Sequence, residues 1–401
     1  MPTGYLTAVV IVALYTVLVL RAPRRPAGLA RATFLMTHWV SEYPFIALAA
    51  LAVSTVLVLA QGDLTSAGGW VLLGVAAATA LGLLDVVRRA SSAGRVIETA
   101  LADRFNDAWR AGDGGGAGPR PLSSLRVLRD VLAPFPVRPR GVRRISNVAY
   151  GDAGKRNLMD LYRPRDAPAE PGPVLIHFHG GHFQIGRKSR EARPLLYRLA
   201  SEGWLCISAN YRLRAAGRFP NSLIDAKSVI AWARAHAFEH GADPSLIVVA
   251  GGSAGGHLAS MAALTPNDPA FQPAGADVDT TVGAAICLYG YYGPRTSGAP
   301  PSSPQDYITR EAPPFLVAAG DNDNQIDVSH ADQFVERLRS VSAAPVVYFR
   351  LPGAQHSFDL FRSLRFDQVV DGIVAFLGWV RTHPGNPSHD PETAQPAALR
   401  E

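Results

Sequence analysis

The sequence predicts an α/β domain, with a mostly parallel sheet covered by helices on both faces, set behind a membrane-spanning N-terminal region. Three observations predict it. From about Val142 onward, short apolar runs alternate with segments of helical period, the pattern of a parallel sheet whose crossovers cover both faces. Before that, three long stretches are almost free of charge. Finally, Val248-Val-Ala-Gly-Gly-Ser-Ala-Gly-Gly-His257 joins an apolar strand-like run to a helix-compatible one through a glycine-rich turn.

The charge-free stretches are Gly4 to Leu20, Pro44 to Ala60 and Gly69 to Val87. Each is long enough to cross a bilayer core, the first two only just. A cleaved signal peptide is the other reading of the first. It has no basic segment before it, and two further apolar stretches follow, so residues 1–90 are read as a transmembrane region of three spans. Arg21, Arg24, Arg25 and Arg31 follow the first span, and Arg88, Arg89 and Arg95 follow the third. The loop between the second and third spans carries Asp63 and no Lys or Arg. The positive-inside rule then places the N-terminus outside and the catalytic domain in the cytoplasm.

Residues 91–141 read as a helical juxtamembrane linker. It holds an amphipathic helix from Gly94 to Arg110, a flexible break at Gly112 to Gly118, and a second helical pattern from Leu122 to Leu132. Those helices are expected to cover the site, because no large insertion elsewhere supplies a lid. The catalytic domain, 142–383, opens with a hairpin, Arg144 to Tyr150 and Leu158 to Tyr162. Further strands are expected at Val174–His177, Leu205–Ala209, Leu246–Ala250, Gly283–Leu288, Phe315–Ala319 and Val346–Arg350. Helices fit Arg190–Ser201, Ser222–His240, Gly256–Ala263, Ser329–Ser340 and Leu364–Arg381. The Pro-rich segment 384–401 reads as a disordered tail.

Charged residues make up 18% of the chain, the formal net charge is +6, and mean hydropathy is +0.07. The basic residues cluster beside the spans and from Arg120 through Arg144. The first clusters suit anionic headgroups, and the last fits a solvated linker equally well. No nucleic-acid motif accompanies them. Cys206 and Cys287 sit in separate strand-like runs and read as small buried side chains.

The chemistry is carried by Gly251-Gly-Ser-Ala-Gly255, a G-x-S-x-G elbow between strand and helix. Such a turn holds a serine hydroxyl out of the sheet, at a helix N-terminus, in a strained conformation. Ser253 is therefore the candidate nucleophile. Gly251 and Gly255 let strand and helix pass closely. Upstream, a buried strand ends in His179-Gly180-Gly181-His182, a turn able to present backbone N–H groups to an oxyanion, together with that of Ala254. Downstream, one strand runs into Asp321-Asn-Asp323, with Asp327 beyond, and a later one into Pro352-Gly-Ala-Gln-His356. His356 is the candidate base, and one of the three aspartates its orienting acid.

These motifs identify a resemblance to α/β-hydrolases of the hormone-sensitive-lipase and BD-FAE-like carboxylesterase type, notably actinobacterial membrane-linked esterases. It spans roughly Val142 to Val380. The resemblance implies an α/β-hydrolase fold in a bacterial membrane protein, and a Ser253, His356, Asp323 triad. The family's G-x-x-D spacing selects Asp323 over Asp321 and Asp327. It also implies an oxyanion hole of Gly180, Gly181, His182 and Ala254, and supporting roles for His179, Tyr211 and Asp225. His182 stands where the pattern has a third glycine, and Gly252 where an acidic residue usually precedes the serine. The expected function is hydrolysis of lipidic or amphiphilic esters through an acyl-serine, with no cofactor and no metal. Acyl transfer, deacetylation and formamide hydrolysis at the same triad are the alternatives, with a non-catalytic membrane scaffold behind them.

Overall fold

The computed structural model describes residues 3–106, 109, 123–166, 168–273 and 278–383. The expected break at Gly112 to Gly118 and the expected tail from Pro384 lie outside the described residues. So do the ends of the two expected linker helices, at Arg110 and Leu122.

The catalytic half is one eight-stranded sheet. Its strands are β1 (Val142–Ala149), β2 (Leu158–Pro164), β3 (Gly172–Phe178), β4 (Leu205–Ala209), β5 (Ala242–Gly252), β6 (Ala284–Leu288), β7 (Phe315–Gly320) and β8 (Val346–Leu351). They lie in the order β1-β2-β4-β3-β5-β6-β7-β8. β1 and β2 form the opening hairpin, β2 pairs antiparallel with β4, and every later pairing is parallel. The apolar runs that predicted these strands are buried on both sides, as crossover helices require. On one face α8 (Asn221–His236), α9 (Ala254–Leu264) and α10 (Ser329–Val341) supply Leu223, Leu258 and Phe334 to the core. On the other, α7 (Arg193–Ser201) and α11 (Leu364–Thr382) supply Leu195 and Phe376. Parallel alignment brings the C-terminal ends of β3, β5, β7 and β8 to one edge, where open α/β sheets place their ligands.

Among the described residues, five α-helices lie before residue 107, α1 (Thr3–Leu20), α2 (Ala27–Glu42), α3 (Pro44–Ala60), α4 (Ala67–Ser91) and α5 (Ala93–Phe105), and α6 (Ser124–Leu132) follows residue 122. α1, α3 and α4 pack on one another through Val9, Leu51, Val58, Leu72 and Ala76. Val10, Leu14, Val53, Val56, Val71 and Leu81 point outward and are exposed. A side chain on Gly82 of α4 would meet Thr16 of α1, so a small residue sets that close crossing.

The region differs from the expectation in two ways. First, α1 and the run Ala67–Phe105 are each long and apolar enough to cross a membrane, whereas α2 and α3 pass that test as a pair bent by 83°. The count is thus two or three. The arginine-bearing segment between the first two expected spans, to which the sequence assigned no element, forms helix α2. Its arginine, threonines and closing glutamate mask the apolar period, and Pro44 starts a new helix after non-helical Tyr43.

Second, the helices expected to cover the site do not. Ile97, Leu101 and Phe105 of α5 are buried in the core with β8 and α11, and Arg126 of α6 pairs with Asp371 of α11 at 2.7 Å. The cover is α2. Asn324 Nδ2, just after β7, donates to Pro23 O at 3.2 Å, Ala30 O at 3.1 Å and Thr33 Oγ1 at 3.2 Å. At its far end, buried Glu42 ion-pairs with buried Arg365 and accepts from Ser363 Oγ at 2.6 Å. Position in the chain suggested the wrong helices because burial of an apolar face, and not proximity in sequence, decides where a helix docks.

Candidate active site

β5 ends at Gly252, Ser253 follows with φ 54° and ψ −117°, and α9 begins at Ala254. A non-glycine residue in that conformation is strained, and the surrounding packing must hold it there. A Cβ on Gly255 would overlap Phe178 O of β3, so only glycine lets α9 start this close to the sheet. Ser253 N–H donates to Leu288 O at 2.9 Å, which ties the turn to β6. The side chain is buried.

His356 and Asp323 come from the loops after β8 and β7. His356 Nδ1 lies 2.7 Å from Asp323 Oδ2, and both side chains are buried. The other carboxylate oxygen, Asp323 Oδ1, accepts from Gln325 N at 2.7 Å and Ile326 N at 2.9 Å. The carboxylate is therefore held in one orientation by two backbone N–H groups. Gln355 Oε1 accepts from His356 N and Asn324 N, joining the two loops. Asp321 is spent on Gly353 N at 2.7 Å, and Asp327 on Ser329 N at 3.0 Å and an ion pair with Arg24. Only Asp323 of the three meets the imidazole.

His356 and Ser253 share a neighbourhood through two residues. Tyr289 lies 4.7 Å, ring to ring, from His356, and a Cβ on Gly252 would collide with its hydroxyl. His182 lines a cavity with Ser253, and its imidazole is held below the ordinary value by desolvation and by His356 and Arg31. No hydrogen bond joins Ser253 Oγ to His356 among the described residues. In unliganded sites such contacts are often long and tighten with substrate.

The turn after β3 is built from consecutive positive φ angles at Gly181 (117°), His182 (53°) and Phe183 (58°). Gln184 N–H and Ile185 N–H both donate to Gly181 O. This leaves the N–H groups of Gly181 and His182 without a hydrogen-bond partner among the described residues, as is that of Ala254 at the start of α9. Gly180 departs from the expectation. Its N–H donates to Glu191 Oε2 at 2.5 Å and is not available to an oxyanion. Its contribution is a missing side chain, since a Cβ there would press on Ser253 and Glu191.

Of the residues expected to support the turn, Tyr211 and His179 touch it, and Asp225 does not. Tyr211 Oη donates to His179 O at 2.7 Å and stacks on the His179 ring. His179 Nδ1 lies 2.6 Å from Gly180 O. Asp225 accepts from Arg212 N at 2.7 Å and from its guanidinium, which ties the segment after β4 to α8. Burial pushes His177 down to about 3, His179 to about 4 and His257 to about 3, so all three imidazoles are neutral packing groups at physiological pH.

Sequence reasoning missed three buried groups and one helix. Glu191 is pushed up to about 8 and Asp359 to about 6, each first by desolvation. Tyr289 Oη donates to Asp359 Oδ1 at 2.5 Å, and Asp359 Oδ2 accepts from Ala192 N at 3.1 Å. Glu191, Asp359 and Tyr289 thus brace the oxyanion turn against the loop that follows His356. Phe34 of α2 places its ring edge-on to His356, with centroids 5.9 Å apart. The one available signal was adjacency, Glu191 near the turn and Asp359 three residues past His356.

Comparison with known proteins places this geometry. The BD-FAE family model matches residues 159–292, and the dienelactone hydrolase family model matches 268–369. The chain is 37% identical to the probable carboxylic ester hydrolase LipM of Mycobacterium tuberculosis over 85% of each chain. It is 36% identical to the esterase LipQ of the same organism over 72% of this chain and 75% of that one. A truncated carbohydrate esterase from gut microbiota shares the fold, with a TM-score of 0.50 at 21% identity, covering 59% of this chain and 96% of the other. The chain therefore belongs to the α/β-hydrolase carboxylic ester hydrolases, and it is a carboxylic ester hydrolase.

Proposed function

We propose that the chain is a membrane-anchored serine esterase acting on amphiphilic or lipidic esters through Ser253, His356 and Asp323. The observation that carries the reading is the 2.7 Å His356–Asp323 pair, delivered by two loops to the edge where the strained Ser253 turn stands. In the reaction His356 Nε2 takes the Ser253 proton as Oγ attacks the ester carbonyl carbon. The carbonyl oxygen becomes an oxyanion, met by the free N–H groups of Gly181, His182 and Ala254. The imidazolium, stabilised by Asp323, gives its proton to the departing alkoxide, and an alcohol leaves. Water, deprotonated by His356, then attacks the acyl-serine, and Ser253 regains its proton as the acid departs.

Initial rates on p-nitrophenyl esters from acetyl to palmitoyl, in detergent and with added glycerol, test this reading. The expected result is free acid as the main product at every glycerol concentration, with the best rates at medium or long acyl chains. A product that shifts to acyl-glycerol in proportion to acceptor would make the chain an acyltransferase instead.

The anchor is α1, α3 and α4, with the catalytic domain on the cytoplasmic side. Both basic clusters abut that domain, which supports the orientation: Arg24 bonds to Asp321 O and Asp327, and Arg89 lies against Gly353. The turn from Gln61 to Ser66 is at the other end of α3 and α4. Native Cys206 and Cys287 are buried, so Gln61→Cys provides a single reporter. It should react with a membrane-impermeant maleimide on intact cells. Reaction only after lysis would reverse the orientation.

A further inference from the structure

A cavity of about 450 Å³ opens directly beside Ser253, within the usual range for small-molecule sites. Phe183 and Phe219 give it apolar walls, and Arg214, Arg218 and Arg295 also line it. No Asp or Glu lines it among the described residues. The three guanidinium groups differ from their neighbours in the fold. Arg212, two residues from Arg214, is paired with Asp225 at 2.9 Å, and Arg126, Arg129 and Arg144 are likewise paired. Arg214, Arg218 and Arg295 form no ion pair among the described residues.

Arg295 is anchored as a fixed cation. It donates to Ser222 Oγ at 2.6 Å and Gly217 O at 3.0 Å, and its guanidinium carbon stands 3.4 Å from the centre of the Phe183 ring. Desolvation pulls it down to about 10, which leaves it charged at neutral pH. Arg214 donates to Gln184 O at 3.2 Å and is otherwise exposed, as is Arg218. Arg295 is the desolvated member of the three, and like charges gathered around one cavity repel one another until an anion joins them. Guanidinium groups also match the planar oxygen pairs of carboxylates and phosphates.

Building on the esterase reading above, we propose that the substrate carries an anionic oxygen group, a carboxylate or phosphate, which Arg214, Arg218 and Arg295 receive while its ester carbonyl sits at Ser253. Specificity then comes from charge beside the reacting centre as well as from acyl length.

Three matched pairs test this. p-Nitrophenyl hemisuccinate against p-nitrophenyl butyrate puts the charge on the acyl side. 4-Acetoxybenzoate against its methyl ester puts it on the alcohol side. A short-chain diacyl phosphatidic acid against the matching diacylglycerol asks whether the anion is a lipid headgroup. Wild type should favour the anionic member of at least one pair by about tenfold in kcat/KM, mostly through KM, and the ratio should fall with added salt. Arg214→Gln with Arg218→Gln should cut that ratio about tenfold, and Arg→Lys at both sites should restore part of it. The salt dependence needs no variant, so poor folding of the double mutant does not remove the test. Equal rates within all three pairs, or a ratio unaffected by salt and by the substitutions, would overturn the proposal. Absence of Ser253-dependent turnover on the neutral esters is a different result, and would count against the esterase reading itself.

Discussion

Ser253→Ala is expected to lower kcat on p-nitrophenyl esters by at least about 10⁴-fold, since removing the nucleophile of a serine hydrolase leaves only binding and oxyanion stabilisation. The protein should remain folded. Alanine keeps the Cβ at φ 54° and loses only a hydroxyl that makes no hydrogen bond among the described residues, while the Ser253 N–H to Leu288 O bond is a backbone contact. Circular dichroism and thermal unfolding in detergent should therefore match wild type to within about 1 kcal/mol. The combination of lost rate and retained fold is the result to look for. Lost rate with lost fold would say only that the turn is structural.

Asp323→Asn is expected to cost about 10³- to 10⁴-fold in kcat, by a route that the hydrogen bonds make specific. Asp323 Oδ1 accepts from two backbone N–H groups, those of Gln325 and Ile326. In the asparagine variant only the amide oxygen can accept those bonds, so it takes the Oδ1 position and turns the NH2 toward His356 Nδ1. That nitrogen must then act as acceptor, and the ring proton moves to Nε2, where it cannot take the proton of Ser253. The loss should appear in kcat with little change in KM. Asp321→Asn and Asp327→Asn should stay within a few-fold of wild type. Their carboxylates bond Gly353 N, and Ser329 N with Arg24, away from the imidazole. A deep loss at Asp321 with a mild one at Asp323 would assign the acid wrongly.

What could be read from the chain was what local pattern determines. The strand–turn–helix around Ser253 is a contiguous run of residues, so its glycines and its serine announce themselves together. The loops bearing Asp323 and His356 follow apolar strands, and the parallel sheet brings their ends to one edge whatever the details of packing. The parts that escaped depend on contacts across long stretches of chain. Glu191 reaches Gly180 N, and Asp359 is met by Tyr289, seventy residues away in sequence. Nothing in either local segment signals a buried carboxylate. α2 escaped for a related reason. Its polar residues, which hide its helical period, include ones facing the catalytic domain: Thr33 meets Asn324, and Glu42 meets Arg365. A helix whose partners are polar does not show the apolar stripe by which helices are recognised. Gly180 was legible as part of the turn, but whether its N–H faces an oxyanion or a carboxylate is decided by Glu191.

The most direct measurement traps the acyl-enzyme. Purified protein in detergent is treated with a fluorophosphonate or quenched during turnover of p-nitrophenyl butyrate, then digested and mapped by mass spectrometry. The account predicts one stoichiometric adduct on the peptide containing Ser253, absent from Ser253→Ala and greatly slowed in Asp323→Asn. An adduct on another residue, or labelling undiminished by Ser253→Ala, would contradict it.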